Sequence, residues 1–161
     1  MKPFLQLAAI LLAVSSTPAF TQDAGQVERV RLGNSCAKCN LFQADLSFLD
    51  LSGRDFSQSR LRQSDLSLST MNQANFSGAD LSVSNLFGGR FTSVNFRQTN
   101  LQGAILVGGY FGGADFSEAN LSGALISGAD FQNAKISQSQ LNDTCGDEFT
   151  KLPAGLQVGF C

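Results

Sequence analysis

The sequence predicts an all-β solenoid, a chain wound as a four-sided coil of about five turns with four five-residue repeats in each. Three observations predict it. Every fifth residue from Leu41 to Leu141 is large and apolar, twenty-one positions without an exception. At the chain's apolar fraction of 43%, chance would produce this on the order of once in 10⁷ sequences, so an internal repeat is secure. Two residues before most of these positions stands a small side chain, as at Ala44, Ser59, Ala79 and Ala114, and Asp or Asn often lies between, as at Asp45, Asp80 and Asp115. Finally, like residues recur every twenty. Leu41, Leu61, Leu81, Leu101, Leu121 and Leu141 form one column, and Leu46, Leu66, Leu86, Leu106 and Ile126 the next. Leu51, Met71, Phe91, Phe111 and Phe131 make a third, and Phe56, Phe76, Phe96, Phe116 and Ile136 a fourth.

A period of five fits neither regular element. On a helix, five residues advance about 500°, so no apolar stripe forms. On a flat strand, an odd spacing sends successive repeats to opposite faces. The chain can bury all twenty-one only by turning after each short segment. Asp, Asn, Gly and Ser, common at the other positions, supply such turns. At about 4.8 Å per coil the stack would be roughly 25 Å long.

Along the chain, residues 1–21 read as an export signal. Lys2 gives a positive start, Phe4 to Val14 an apolar run, and Ser15 to Phe20 a small, polar end with Pro18. The apolar run has eleven residues, whereas a membrane span needs about 20, so no membrane anchor is expected after cleavage. Residues 22–39 then form an N-terminal cap, 40–142 the repeat, and 143–161 a C-terminal cap. Caps are needed because a stacked coil otherwise ends in unpaired backbone.

The repeat unit, seen in Ala44-Asp45-Leu46, Ala79-Asp80-Leu81, Ala114-Asp115-Phe116, Ala119-Asn120-Leu121 and Ala129-Asp130-Phe131, resembles that of the pentapeptide-repeat family. The resemblance covers 40–142 and implies a right-handed quadrilateral β-helix, in keeping with the twenty-residue columns. Leu49, Arg54 and Val94 depart from it by occupying the small position. Arg54 cannot stay buried unpaired, so its head should reach solvent or the first coil should be distorted.

All four cysteines, Cys36, Cys39, Cys145 and Cys161, fall outside the repeat. An even number in an exported chain favours disulfides. With the ends roughly 25 Å apart and bridged Cα atoms needing to lie within about 7 Å, the expected pairs are Cys36 with Cys39 and Cys145 with Cys161. The segments around them also resemble the flanks of exported family members. A redox reading of Cys36-Ala37-Lys38-Cys39, with Lys38 lowering a thiol pKa, lacks the βαβ context such motifs occupy.

Composition narrows the function. There is no His, which removes imidazole bases, Ser-His-Asp and Cys-His centres and His-containing metal sites. No cofactor and no metal are expected. Eleven Lys and Arg against thirteen Asp and Glu do not suit a nucleic-acid binder. The acids alternate with Asn at one turn position, which marks turn formers rather than catalytic pairs. Function is therefore expected on the surface. The side built on Leu46 to Ile126 carries Phe48, Leu68, Phe87, Ile105, Val107 and Leu125 at outward positions, an apolar stripe suited to a homodimer or an unknown protein partner. The expected role is an exported, non-enzymatic scaffold or interaction module. The alternatives are a DNA-mimicking topoisomerase inhibitor, which the family resemblance allows, and a thiol redox protein using Cys36 and Cys39.

Overall fold

A computed structural model describes residues 21–161; the export signal read over 1–21 lies, apart from Thr21, outside them. The described residues open with helix α1, Ala24–Arg31. Asp23 caps it by accepting the Gln26 N–H at 3.1 Å, which satisfies a first-turn donor that has no intrahelical partner. Val27 and Val30, three residues apart, face inward and are buried over the start of the coil. Polar contacts fix the helix there: Arg31 donates to the Asp45 carbonyl at 3.0 and 3.2 Å, and the Gln26 amide oxygen accepts the Asn40 N–H at 2.6 Å.

From Asn40 on, the backbone pairs with itself at a spacing of twenty. Parallel bridges join Asn40 to Arg60, Asp45 to Asp65, Asp50 to Thr70 and Asp55 to Asn75, and continue in this register to Asp115 and Lys135. Each turn of the chain thus contains four repeats. Every repeat carries one short bridge and one tight turn, so no single strand is long. In a typical repeat the Leu41 N–H donates to the Arg60 carbonyl at 2.8 Å, and the Ala44 N–H turns back to the Leu41 carbonyl at 3.0 Å. The residue before the small one sits at positive φ, as Gln43 does at 54° and Gly53 at 68°. The Asx residues serve a second purpose: Asp45 Oδ1 accepts both the N–H and the hydroxyl of Ser47, and amides such as Asn75 reach the carboxylate one coil below, 3.0 Å to Asp55.

The lumen is filled with side chains. Rings in the two Phe columns stack along the axis, Phe56 on Phe76 at 5.0 Å and Phe91 on Phe111 at 5.2 Å, and the columns meet where Phe111 approaches Phe116 at 5.9 Å. Where the small inward residue is polar, its hydroxyl is matched: Ser64 and Ser69 each donate at 2.6 Å to the carbonyl three residues back. Arg54 lies exposed while its backbone keeps the ladder, and Val94 is fully buried.

Two features depart from the sequence reading. Ile136 is only partly buried, so the inward series is not complete. Leu141 is buried but belongs to helix α2, Gln138–Leu141, which displaces the expected repeat. Ser137 and Gln140 form a capping box there, and the Gln140 amide also donates to the carbonyls of Phe116 and Ala119 at 2.7 and 2.9 Å, closing ladder groups left open below. Beyond α2 the ladder resumes, outside 40–142, from Leu125 to Cys145 and then, one residue out of step, from Asp130 to Lys151. Strand β1, Cys145–Gly146, finally pairs in parallel with β2, Gly159–Phe160.

Candidate functional site

The outward face above Leu46, Leu66, Leu86, Leu106 and Ile126 is assembled by the ladder itself. Residues twenty apart are neighbours about 4.8 Å from each other, so Phe48 lies beside Leu68, Phe87 beside Val107, and Ile105 beside Leu125, the last pair bridged directly. Phe48 is 74% exposed; Leu68, Phe87, Ile105 and Leu125 lie between 37% and 48%. Val107 is half-buried. The three pairs run diagonally across the face, from the turn side at one end to the bridge side at the other.

Phe48 and Leu68 hold turn positions at φ 59° and 55°, a region that disfavours bulky side chains. Glycine occupies the same place in the next three coils at Gly88, Gly108 and Gly128. Gly88 also makes room for its neighbour, since a Cβ there would come within 2.8 Å of the Leu68 Cδ2. At one end Asp45 borders the stripe. Hydrogen bonds from the Ser47 hydroxyl and N–H hold its carboxyl below the usual range, and Arg31 pairs with it at 3.5 Å. At the other end the bridge from Leu125 leads to Cys145, whose disulfide partner Cys161 lies 3.6 Å from the Ser127 hydroxyl.

Exposed apolar residues also occur elsewhere. Val83 and Tyr110 stand on other sides, and Leu32, Phe149 and Phe160 near the ends; none of the five is singled out by the sequence analysis. The stripe is distinguished by the neighbouring ladder places of its paired members rather than by exposure alone.

The cysteines form two bridges, Cys36–Cys39 and Cys145–Cys161, with Cα atoms 5.5 and 4.9 Å apart. Cys36 and Cys39 are both buried. They occupy the large and small inward places of a repeat ahead of Leu41, as the ladder bond from the Cys36 N–H to the Asp55 carbonyl at 2.8 Å shows. The register was available in the sequence, because Cys36 lies five residues before Leu41. The second bridge ties the end strand β2 to β1. Among the described residues no group of three or more His, Cys, Asp or Glu is placed to hold a metal ion, and no helix is long and apolar enough to cross a membrane.

A family model described as pentapeptide repeats matches in eight copies, over 39–78, 55–88, 94–133 and 110–145. Among solved structures, the chain is similar to a pentapeptide repeat protein from the Arabidopsis thaliana thylakoid lumen, with 30% identity over 63% of this chain and 71% of that one and a TM-score of 0.61. It is also similar to a pentapeptide repeat protein, Rfr23, from the cyanobacterium Cyanothece 51142, at 24% identity over 80% and 97% of the two chains and a TM-score of 0.35. A third similar structure is QnrB1, a plasmid-mediated fluoroquinolone resistance protein, at 20% identity over 74% and 83% with a TM-score of 0.37. No curated protein matches the sequence.

Proposed function

Since the chain belongs to the pentapeptide-repeat family, we propose that it is an exported, non-enzymatic scaffold or protein-interaction module whose working surface is the apolar stripe. In this reading residues 22–39 and 143–161 cap a right-handed quadrilateral coil of about five turns, and the coil acts as a rigid ruler that presents the stripe. The observation that carries it is the contiguity of Phe48 with Leu68, Phe87 with Val107 and Ile105 with Leu125 on one flat face. Contiguous exposed apolar surface on a soluble fold usually marks an interface.

Other observations favour this over its rivals. A lumen packed with Leu and Phe leaves no interior cleft for a substrate, and the Cys36–Cys39 bridge lies inside it, away from a redox partner. A face imitating a nucleic-acid duplex needs unbroken negative charge. Here Arg97 lies 3.6 Å from both Asp115 and Glu118, Lys135 is 3.3 Å from Asp115, and Lys151 is 3.5 Å from Asp130. Two disulfides suit an oxidising compartment. The intact mass of the native protein tests export: about twenty residues should be missing, together with four hydrogens for two closed bridges.

The interface is tested with Ile105→Asp combined with Leu125→Lys. Ile105 and Leu125 are 37% and 40% exposed and lie outside the lumen, so the variant should stay folded and keep the parent's circular dichroism spectrum. The parent should self-associate or retain a partner, and the variant should do neither. Unchanged mass in light scattering together with unchanged capture would refute the reading.

A further inference from the structure

The side built on Leu51, Met71, Phe91, Phe111 and Phe131 has a notch in its surface. It measures about 390 Å³ and is lined by Thr92, Tyr110, Gly112, Gly113, Asp130, Gln132 and Asn133. Two features of its sequence are not required by the fold. The outward place held by Gly112 carries Ser52, Asn72, Thr92 and Gln132 in the neighbouring coils. Gly112 does not lie at positive φ, and a Cβ there would meet only the Gln132 carbonyl at an ordinary 3.6 Å. Nothing in the backbone therefore demands glycine, and its effect is to leave space. Gly113, at φ +70°, is the ordinary turn glycine.

The second feature is Tyr110. In most repeats an Asp or Asn at this position accepts the N–H two residues on, as Asp50 does from Ser52 at 3.1 Å and Asp130 from Gln132 at 3.0 Å. Tyr110 cannot do so. Its ring, 55% exposed, becomes a wall of the notch, and the Gly112 N–H has no acceptor among the described residues. Around this donor stand the Thr92 hydroxyl and the Gln132 and Asn133 side-chain amides, none of which has a partner among the described residues. Of the charges nearby, Asp130 lies 3.5 Å from Lys151, whereas Arg90, bridged to Tyr110 from the neighbouring coil and exposed, has no ion-pair partner among the described residues.

We propose that this notch is a binding site for an oligosaccharide. An exposed aromatic ring beside unpaired amides, a hydroxyl and a backbone N–H suits a sugar ring, which offers an apolar C–H face and hydroxyls that both donate and accept. The site lies on a different side from the apolar stripe and does not depend on it.

The chain contains one Tyr and no Trp, so its tyrosine emission reports on Tyr110 alone. Titration of the intact disulfide-bonded protein with maltohexaose, cellohexaose and N-acetylchitohexaose should show, for at least one of them, a saturable change in that emission and shifts of the Gly112 and Gly113 amide resonances. Gly112→Gln refills the notch and Tyr110→Asn restores the usual acceptor. Both should keep the parent's melting profile and, read by amide shifts, weaken binding on the order of ten-fold or more. The Ile105→Asp and Leu125→Lys variant should bind like the parent. Absence of any saturable response to all three sugars, or binding that survives Gly112→Gln undiminished, would overturn the assignment.

Discussion

Truncating Phe111 to alanine should be among the most damaging single changes in the molecule. The ring is fully buried. It stacks between Phe91 at 5.2 Å and Phe131 at 5.1 Å, and it also meets Phe96 and Phe116 at 6.2 and 5.9 Å. A buried Phe→Ala change costs about 3–5 kcal/mol, and the cost depends on how far the site can collapse. Collapse is restricted here, because the Phe111 N–H is held by the Asp130 carbonyl at 2.7 Å and the coils above and below are paired in the same way. The loss should therefore fall at the upper end, about 4–5 kcal/mol. Because the position is mid-stack, it should also weaken coupling between the two halves of the solenoid, lowering the denaturant slope as well as the midpoint. Urea unfolding followed by circular dichroism measures both quantities. Phe149→Ala, at a residue 69% exposed, is the matched control and should change stability by less than about 0.5 kcal/mol. A loss at Phe111 below about 1 kcal/mol, or one equal to the control, would show that the rings do not form a packed lumen.

Two further perturbations test other parts of the fold. Cys161→Ser opens a bridge that spans sixteen residues of sequence and should cost about 3 kcal/mol in the chain-entropy model; a variant that melts with the parent would show that the clasp adds nothing. Burial raises the pKa of Asp115, but hydrogen bonds from the Ser117 hydroxyl and N–H and from Lys135 outweigh it and hold the carboxyl down to about 2. A depressed folded-state pKa contributes stability that is complete above the unfolded value near 4 and is lost as pH falls through about 2. Asp115→Asn should accordingly lower stability at neutral pH and flatten its decline across that window, and an unchanged acid profile would remove Asp115 from the account.

Much of the coil was legible because the sequence period and the ladder period are the same number. Phe56, Phe76 and Phe96 are twenty residues apart and stacked for the same reason. The ends were harder to read. Cys36 and Cys39 keep the register but are not large aliphatic or aromatic residues, so the run of large apolar residues starts only at Leu41 and the repeat before it reads as cap. At α2, Ile136 and Leu141 still fit the five-residue spacing, whereas Ser137 and Gln140 carry a capping-box pattern that favours a helix. The tertiary need to close the open carbonyls of Phe116 and Ala119 is met by the Gln140 amide, and no periodicity contains that information. The single-residue offset between Asp130 and Lys151 is an insertion that only the pairing reveals. The stripe was visible because outward positions can be sorted by side. The Tyr110 notch was not, because its meaning depends on a hydrogen bond that Asx residues make elsewhere and Tyr cannot.

The twenty-residue winding is the claim from which the stripe, the notch and the packed lumen all follow. It is tested most directly by the distance between spin labels at Ser52→Cys and Gln132→Cys, two exposed positions in one column with the native bridges left closed. Four coils at about 4.8 Å each place their backbones roughly 19 Å apart, so electron–electron dipolar spectroscopy should give one narrow distribution near that value, broadened only by the label arms. A broad distribution, or a mean beyond about 35 Å, would contradict the winding, because eighty residues on a helix or an open strand would separate the labels far more.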